Sequence, residues 1–497
     1  MSRAHSSGPL AWTILAAALV VPVHAAAQLI NLSTVPVAAG DQFLIFPSDN
    51  LGMGGAHIAL DDAWLDPFVN PAKGARVTTS QVFAVPTFYS VGQNSGSAAT
   101  LSAGGLFGGG HLFGGALLAL QQIKSGQDFF GPMPLMDFAA LPPDALSKQS
   151  ATNKYVFGSI GTRIGHGAAV GASATIADLN VMDGVEHLYA MAADINQSGS
   201  VADLRFGAVQ DLTGGGALEG LLLYNHFNMT HDVTYVDWVV VDSTTGQWAP
   251  RERLETNVDR TDTWGLHLGF HRPVGTQGWQ VGGILTGNYK NHPKIPNYEL
   301  VNIPRDPGHS TALDIGVGIA KRAGDLAVGL DLVYEPAWSS TWATAGAPTV
   351  TIEGDTIPAG GRTVENEFRF SNAFVNVGTG YTVGPATFQL GLRIRANDYH
   401  LDQWNNVEQA WRRQDEQWME WMPSWGVQVR LKGVAIRYLG RVTTGTGRPG
   451  VAWNGVVATR AAEASLANDI VVPPGGPLTL QEVDVWTHQV SVAVPLR

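Results

Sequence analysis

Cysteine is absent from all 497 residues. That excludes a disulfide framework, a CxxC redox site and any thiolate metal centre. Charge is also scarce, at 14% of residues, and its balance is acidic, with a formal net charge of -12. An acidic chain of this kind argues against nucleic acid as a partner. No stretch after the N-terminal region reaches the roughly 18 consecutive apolar residues of a membrane helix. Catalytic signatures are missing too: there is no G-x-S-x-G, H-E-x-x-H or Walker loop. The expectation is a protein that is not an enzyme and carries neither cofactor nor metal.

Two apparent metal motifs do not survive inspection. His267 and His271 sit four apart in "TWGLHLGFH", which on a strand places them ~13 Å from each other at ~3.3 Å per residue. "DLNVMDG" begins like a calcium loop, but Met182 stands where an acid or Asn belongs.

What the chain does contain is glycine and tryptophan, 59 and 15 of them. It opens with Arg3, the apolar run "AWTILAAALVV" and the small-residue pattern ending at Ala25 and Ala27. This reads as a secretory signal peptide over 1–27, with maturation before Gln28. From residue 76 onward the dominant pattern is alternation with period two, the mark of strands with one apolar face. In "DLAVGLDLVY", Leu326, Val328, Leu330, Leu332 and Tyr334 share one face, against Asp325, Ala327, Gly329 and Asp331. "TFQLGLRIRAN", "VAIRYLGRV" and the final "VDVWTHQVSVAVPLR" split the same way. The polar faces are rich in small residues, which suits a crowded interior. Aromatics such as Trp264, Trp279 and Tyr289 are expected at strand ends, where membrane girdles lie.

Turn lengths support a membrane barrel, because such barrels join strands by short turns on one side and long loops on the other. Tight connections are read at 108–110, 165–167, 213–216, 272–278, 322–325, 382–385 and 432–433. Long segments are read at 124–150, 183–199, 239–260, 291–308, 337–364, 402–416 and 445–482. Seven tight turns with both barrel ends on one side imply sixteen strands. Arg497 ends the chain where barrel proteins commonly carry an aromatic residue.

Ahead of the strands stands "NLGMGGAHIALDDAWLDPFVNPAKGARV", residues 50–77, which does not alternate. Asn70-Pro71 is a helix-start pair, an N-cap followed by proline at the first helical position. Gly74 is expected to end that turn. Gly52, Gly54 and Gly55 permit close backbone approach, so the stretch reads as a compact plug of turns.

The ordered set "GMGGA" (52–56), "DDA" (61–63) and "NPAKG" (70–74) resembles the FadL/TodX family of outer-membrane hydrophobe transporters and the related PorV-type barrels. The resemblance implies an all-β, transmembrane antiparallel barrel of fourteen strands, where the turn count gives sixteen. It also implies a hatch over 28–75 inside a barrel over 76–497, in the outer membrane of a diderm bacterium and in contact with its lipid. The mechanism implied is passive transport of small hydrophobic or amphipathic, fatty-acid-like molecules. Asn70, Pro71 and Ala72, with Gly54 and Gly55, would then hold or gate the hatch. A PorV-like alternative is a non-transporting barrel that docks envelope proteins of a secretion or surface-attachment machine.

Three further features bear on a small hydrophobic ligand. The loop "QDFFGPMPLMDFAALPP" gathers Phe129, Phe130, Met133, Leu135, Met136 and Phe138, an apolar set suited to capturing a ligand or to packing over the barrel mouth. Trp404, Trp411, Trp418 and Trp425 recur every seven residues, with Trp421 between. They fit an interfacial belt or, for part of the segment, a stripe on a short helix. Arg393, Arg395, Arg430, Lys432, Arg437 and Arg441 are expected to face the lumen opposite Asp314, Asp325 and Asp331. Such charges would orient an amphipath's carboxylate, make an anion-selective lumen, or pair with each other or with the plug.

Overall fold

A computed structural model describes residues 29–34, 36–93, 95–126, 150–165, 167–185, 192–293, 307–450 and 479–496, apart from 243–246. Sixteen antiparallel strands close into one barrel. In chain order they are β1 (Gln81–Val91), β2 (Gly96–Phe107), β3 (Leu112–Ser125), β4 (Ser150–Arg163), β5 (Ala168–Leu179), β6 (Ala192–Asp211), β7 (Ala217–Asp242) and β8 (Gln247–Val274). There follow β9 (Trp279–Asn291), β10 (Gly308–Ala323), β11 (Leu326–Thr344), β14 (Arg362–Val383), β15 (Ala386–Asn405), β16 (Ala410–Leu431), β17 (Val434–Thr443) and β20 (Val485–Pro495). Two further two-stranded sheets are not members of the ring: β12 (Thr349–Val350) with β13 (Thr356–Ile357), and β18 (Gly447–Gly450) with β19 (Thr479–Glu482). β20 pairs with β1, so the ring has no free edge at its seam.

All seven tight connections fall between barrel strands, and the count of sixteen from turns holds against fourteen. The pleat then sorts the side chains. On β11 Leu326, Val328, Leu332 and Tyr334 are exposed while Asp331 is 1% exposed. Across β14, β15 and β16 the outward rows run from Val383, Ala386 and Val429 to Ala373, Ala396 and Met419, almost all apolar. The next row is Ser371, Asp398 and Gln417, and charged residues follow. Eleven residues of a strand tilted by about 40° span roughly 25 Å, the height of a barrel's lipid band. An apolar outside with small and polar residues inside is the reverse of a soluble sandwich.

Several expected loops are partly strand. β7 and β8 continue to Asp242 and from Gln247, β15 and β16 close through Asn405 and Ala410, and β6 starts at Ala192. These outer stretches carry polar groups on both faces, as in the pairs Asn228 with Arg260 and Asp402 with Arg413, so they lack alternation. Ladder pairing holds them nonetheless. The Trp404–Trp418 segment is therefore a hairpin and not a helix: Trp411 points outward, 73% exposed, whereas Trp418 packs inward on Tyr399. Trp264 lies within β8 and not at its end, because β8 runs 28 residues.

The barrel begins at Gln81, five residues beyond the expected boundary, because the Pro71–Arg76 turn of 3-10 helix carries the chain through Gly74. No described helix is long and apolar enough to cross a membrane.

Candidate functional site: the N-terminal segment against the inner wall

Residues 29–77 touch inward-facing side chains on opposite sides of the ring. The 3-10 turn Leu51–Met53 meets β14 to β17, and Pro71–Arg76 meets β3 to β6. Such close approach needs a wall without side chains, and glycines align across it. Gly161, Gly171 and Gly207 are cross-strand neighbours on β4, β5 and β6. A Cβ at Gly207 would lie 1.9 Å from Asn70 Oδ1, and one at Gly171 would lie 2.8 Å from the Pro71 carbonyl carbon. Opposite them, Gly378 and Gly391 pair on β14 and β15, and added Cβ atoms there would meet Met53 and Gly54 backbone at 2.2 and 2.0 Å.

Asn70 caps Pro71–Arg76: its Oδ1 accepts from the Ala72 N–H at 3.1 Å, and Pro71 occupies the first helical position. Its Nδ2 also donates to Glu219 on β7 at 3.1 Å. Lys73 closes the site with Glu219 at 3.0 Å and Asp66 at 3.3 Å. Ala72 is fully buried. Burial pushes the Asp66 carboxyl up to about 7, with Asp62 and Glu219 opposing Lys73. Burial alone would lower Lys73, but Asp66 and Glu219 raise it above the ordinary lysine value.

At the other end Gly54 adopts φ +70°, and its N–H donates to Ser424 Oγ at 3.0 Å. Gly55, at φ +73°, meets nothing within 4 Å of an added Cβ, so its glycine serves the backbone alone. The "DDA" acids divide the work. Asp62 is 2% exposed and accepts from Ser48 Oγ and from the N–H groups of Asp49, Asn50, Trp64 and Leu65. Asp61 pairs with Arg76 at 3.1 Å. Between the two ends Asp331 on β11 accepts from the His57 and Ile58 N–H groups at 2.7 and 3.3 Å.

The expected lumen arginines separate by partner. Arg437 donates to Asp49 at 2.7 Å and lies 3.9 Å over the Trp64 ring, while Arg441 pairs with Asp41. Burial alone would raise Asp41, yet Arg441 and Thr487 hold it below the usual carboxylate value. Arg395 donates to the Asn31 carbonyl at 3.1 Å and stands 3.8 Å from Glu335. Arg393 shares the Phe374 ring with Arg395, and its Nε has no partner. Arg430 lies exposed beside Gln428 near the tight-turn end. Lys432 and Asp325 do not face the lumen: both are exposed in tight turns, where alternation no longer applies. Phe129, Phe130, Met133, Leu135, Met136 and Phe138 lie outside the described residues.

The apparent metal motifs have ordinary partners. His267 meets the Thr286 hydroxyl at 2.7 Å, and Asp183 accepts from the Gly40 N–H.

Two apolar clusters on the inner side were not evident from the sequence. Ile30 and Leu32, 3% and 7% exposed, sit among Phe368, Phe370, Tyr399 and Leu401. Phe46 stacks on Phe68 at 4.7 Å, beside Phe83 and Phe157. These residues come from distant strands and from an irregular segment, so no local pattern marks them. Inward apolar residues interrupting otherwise polar faces were the available signal.

No family model matches the chain, and no curated protein matches it. Among solved structures, it is similar to a Pseudomonas aeruginosa FadL homologue at 11% identity, covering 93% of this chain and 100% of that one with a TM-score of 0.44. It is also similar to the Ralstonia pickettii toluene transporter TbuX, at 12% identity, 92% and 99% coverage and a TM-score of 0.41. The CymD monoaromatic hydrocarbon channel follows at 10% identity, 90% and 97% coverage and a TM-score of 0.34. At these identities the likeness concerns the fold, and it is a likeness to β-barrels.

Proposed function

We propose that the protein is a passive outer-membrane channel for small hydrophobic or amphipathic molecules, with residues 29–77 as its plug. The observation that carries this reading is the pair of apolar clusters between the N-terminal segment and the otherwise small and polar inner wall. A pore for ions or sugars gains nothing from Phe368, Phe370 and Tyr399 gathered on inward faces under Ile30 and Leu32, whereas a hydrophobic solute that displaces those two residues gains by burying surface there. Arg393 and Arg395 beside Phe374 would orient the polar end of an amphipath. Asn70, Pro71 and Ala72 would anchor the plug to β5, β6 and β7, and Gly54 would seat it on β14 and β15, with Gly55 supplying the left-handed backbone beside it.

The test is uptake of a labelled fatty acid and a labelled alkylbenzene by proteoliposomes holding the full-length protein. Uptake should exceed that of empty liposomes, and Phe370→Ala with Tyr399→Ala should slow it while the heat-modifiable gel shift is kept. Uptake no faster than through empty liposomes refutes the channel. Co-purification with large envelope proteins, in the absence of uptake, would instead support the docking reading.

A further inference from the structure

The outer face of the tall wall formed by β14, β15 and β16 carries aromatics where a lipid belt does not reach. Trp404 and Trp411 are cross-strand partners with ring centroids 5.0 Å apart, and Trp411 is 73% exposed. The last apolar row of the lipid band is Ala373, Ala396 and Met419. From Met419 to Trp411 the strand climbs eight residues, about 20 Å at ~3.3 Å per residue and a tilt of about 40°. Interfacial girdles flank the apolar band itself, so this pair stands too high to be one. Three polar rows separate it from lipid.

The Trp pair is held for contact. Trp404 Nε1 donates to Asn406 Oδ1 at 2.8 Å, and Asn406 Nδ2 donates to Glu365 at 3.2 Å, which fixes one indole. Most charges around it are paired: Arg413 with Asp402 at 2.9 Å, Arg362 with Glu365 at 2.6 Å, and His400 with Asp415, while Arg369 on the same face stands alone among the more numerous acids Asp398, Asp402, Asp415, Glu365 and Glu367. The patch therefore offers apolar ring faces and carboxylate or amide oxygens, without an excess of positive charge. Ring faces cover the C–H surface of a pyranose, and oxygen acceptors take its hydroxyl groups. A phosphate or a nucleic acid would find no cationic cradle.

We propose that this face binds the neutral saccharide portion of lipopolysaccharide molecules packed against the barrel. The inference rests on the outer-membrane placement of the barrel but not on transport. At this height beyond the apolar band, the neighbour of a barrel in the outer leaflet is the oligosaccharide and not the acyl chains. The lipid anchor holds that sugar beside the wall, so two aromatic contacts suffice where a free sugar would bind weakly.

The experiment uses the full-length detergent-purified protein and three probes: lipopolysaccharide with a complete core, deep-rough lipopolysaccharide lacking the neutral hexoses, and free core oligosaccharide. The complete-core form should bind roughly tenfold more tightly than the deep-rough form. Trp404→Ala with Trp411→Ala should abolish that preference, while Trp404→Phe with Trp411→Phe should keep most of it. The free oligosaccharide should bind more weakly than the complete-core lipid, with the same dependence on the two residues. The gel shift controls for folding in both variants, and membrane fractionation tests the placement separately. Equal binding of the two lipopolysaccharides by the wild type overturns the proposal. So does a preference that survives in the alanine variant, tighter binding of the free oligosaccharide, or loss of a co-purifying protein in place of lipopolysaccharide.

Discussion

Single residues hold the N-terminal segment with unequal strength. Arg437 and Arg393 lie on inner faces two strands apart, yet Arg437 is paired with Asp49 and covers Trp64, while Arg393 Nε has no partner. Removing one partner of a buried pair strands the other charge, at a cost of about 3 to 5 kcal/mol. Arg437→Ala should therefore lower the thermal midpoint of the gel shift. Arg393→Ala should leave that midpoint in place and, on the proposed function, change the relative uptake of fatty acid and alkylbenzene. Asn70→Ala removes a cap and a bond to Glu219, which should cost about 1 to 2 kcal/mol. Faster proteolysis within residues 50–77, with the barrel intact, is the measurement. Gly207→Ala should have a similar effect by another route, since its Cβ would reach Asn70 Oδ1 at 1.9 Å. The Asn70-Pro71 cap was legible because caps are local. The glycine row was not, because Gly161, Gly171 and Gly207 are adjacent only after three strands pair.

At the scale of elements, strand faces were the most legible feature. Alternation on β11 assigned Leu330 to the lipid side, and its cross-strand partners Ile319 and Val377 are exposed apolar residues. Leu330→Arg should cost ~2 to 4 kcal/mol near the midplane, read as loss of the gel shift in mild detergent. Legibility ended where strands left the lipid band, since water on the outside removes the pressure to alternate. The short helix Asp66–Val69, joined to the Pro71–Arg76 turn through Lys73, carries a pH dependence. Burial raises the Asp66 carboxyl from its ordinary 3.8 to about 7, so the folded state binds the extra proton between them. Its contribution is greatest at low pH and declines as pH rises from about 4 to about 7. Asp66→Asn should remove this decline, so that the variant gains on the wild type at pH 8 relative to pH 5 in protease protection of the segment.

For the whole molecule, strand number and closure followed from the spacing of glycine turns, because each tight connection is a short-range event. The contents of the interior did not, because they depend on which side chains meet across the ring. Asp62 is an example. The sequence presents it as one of two adjacent acids, and only the fold shows it gathering four N–H groups and a hydroxyl from both sides of its own segment. The charged half of the interior was partly legible as arginines on consecutive strands. The acids that answer Arg441 and Arg437, Asp41 and Asp49, belong to the segment, whereas Arg395 meets Glu335 on β11.

The seam between β1 and β20 has a consequence for biogenesis. It joins residues some four hundred positions apart, such as Phe83 with Ala493, so it has the highest contact order in the wall and is expected to close late. Residues 29–77 precede every strand in the chain and contact strands from β3 to β17. If they are the plug proposed above, they must be in place before the last hairpin zips, or enter a finished ring. A bulky folded domain fused ahead of Leu29 would then stall maturation with the seam unzipped, while the same domain fused after Arg497 would not.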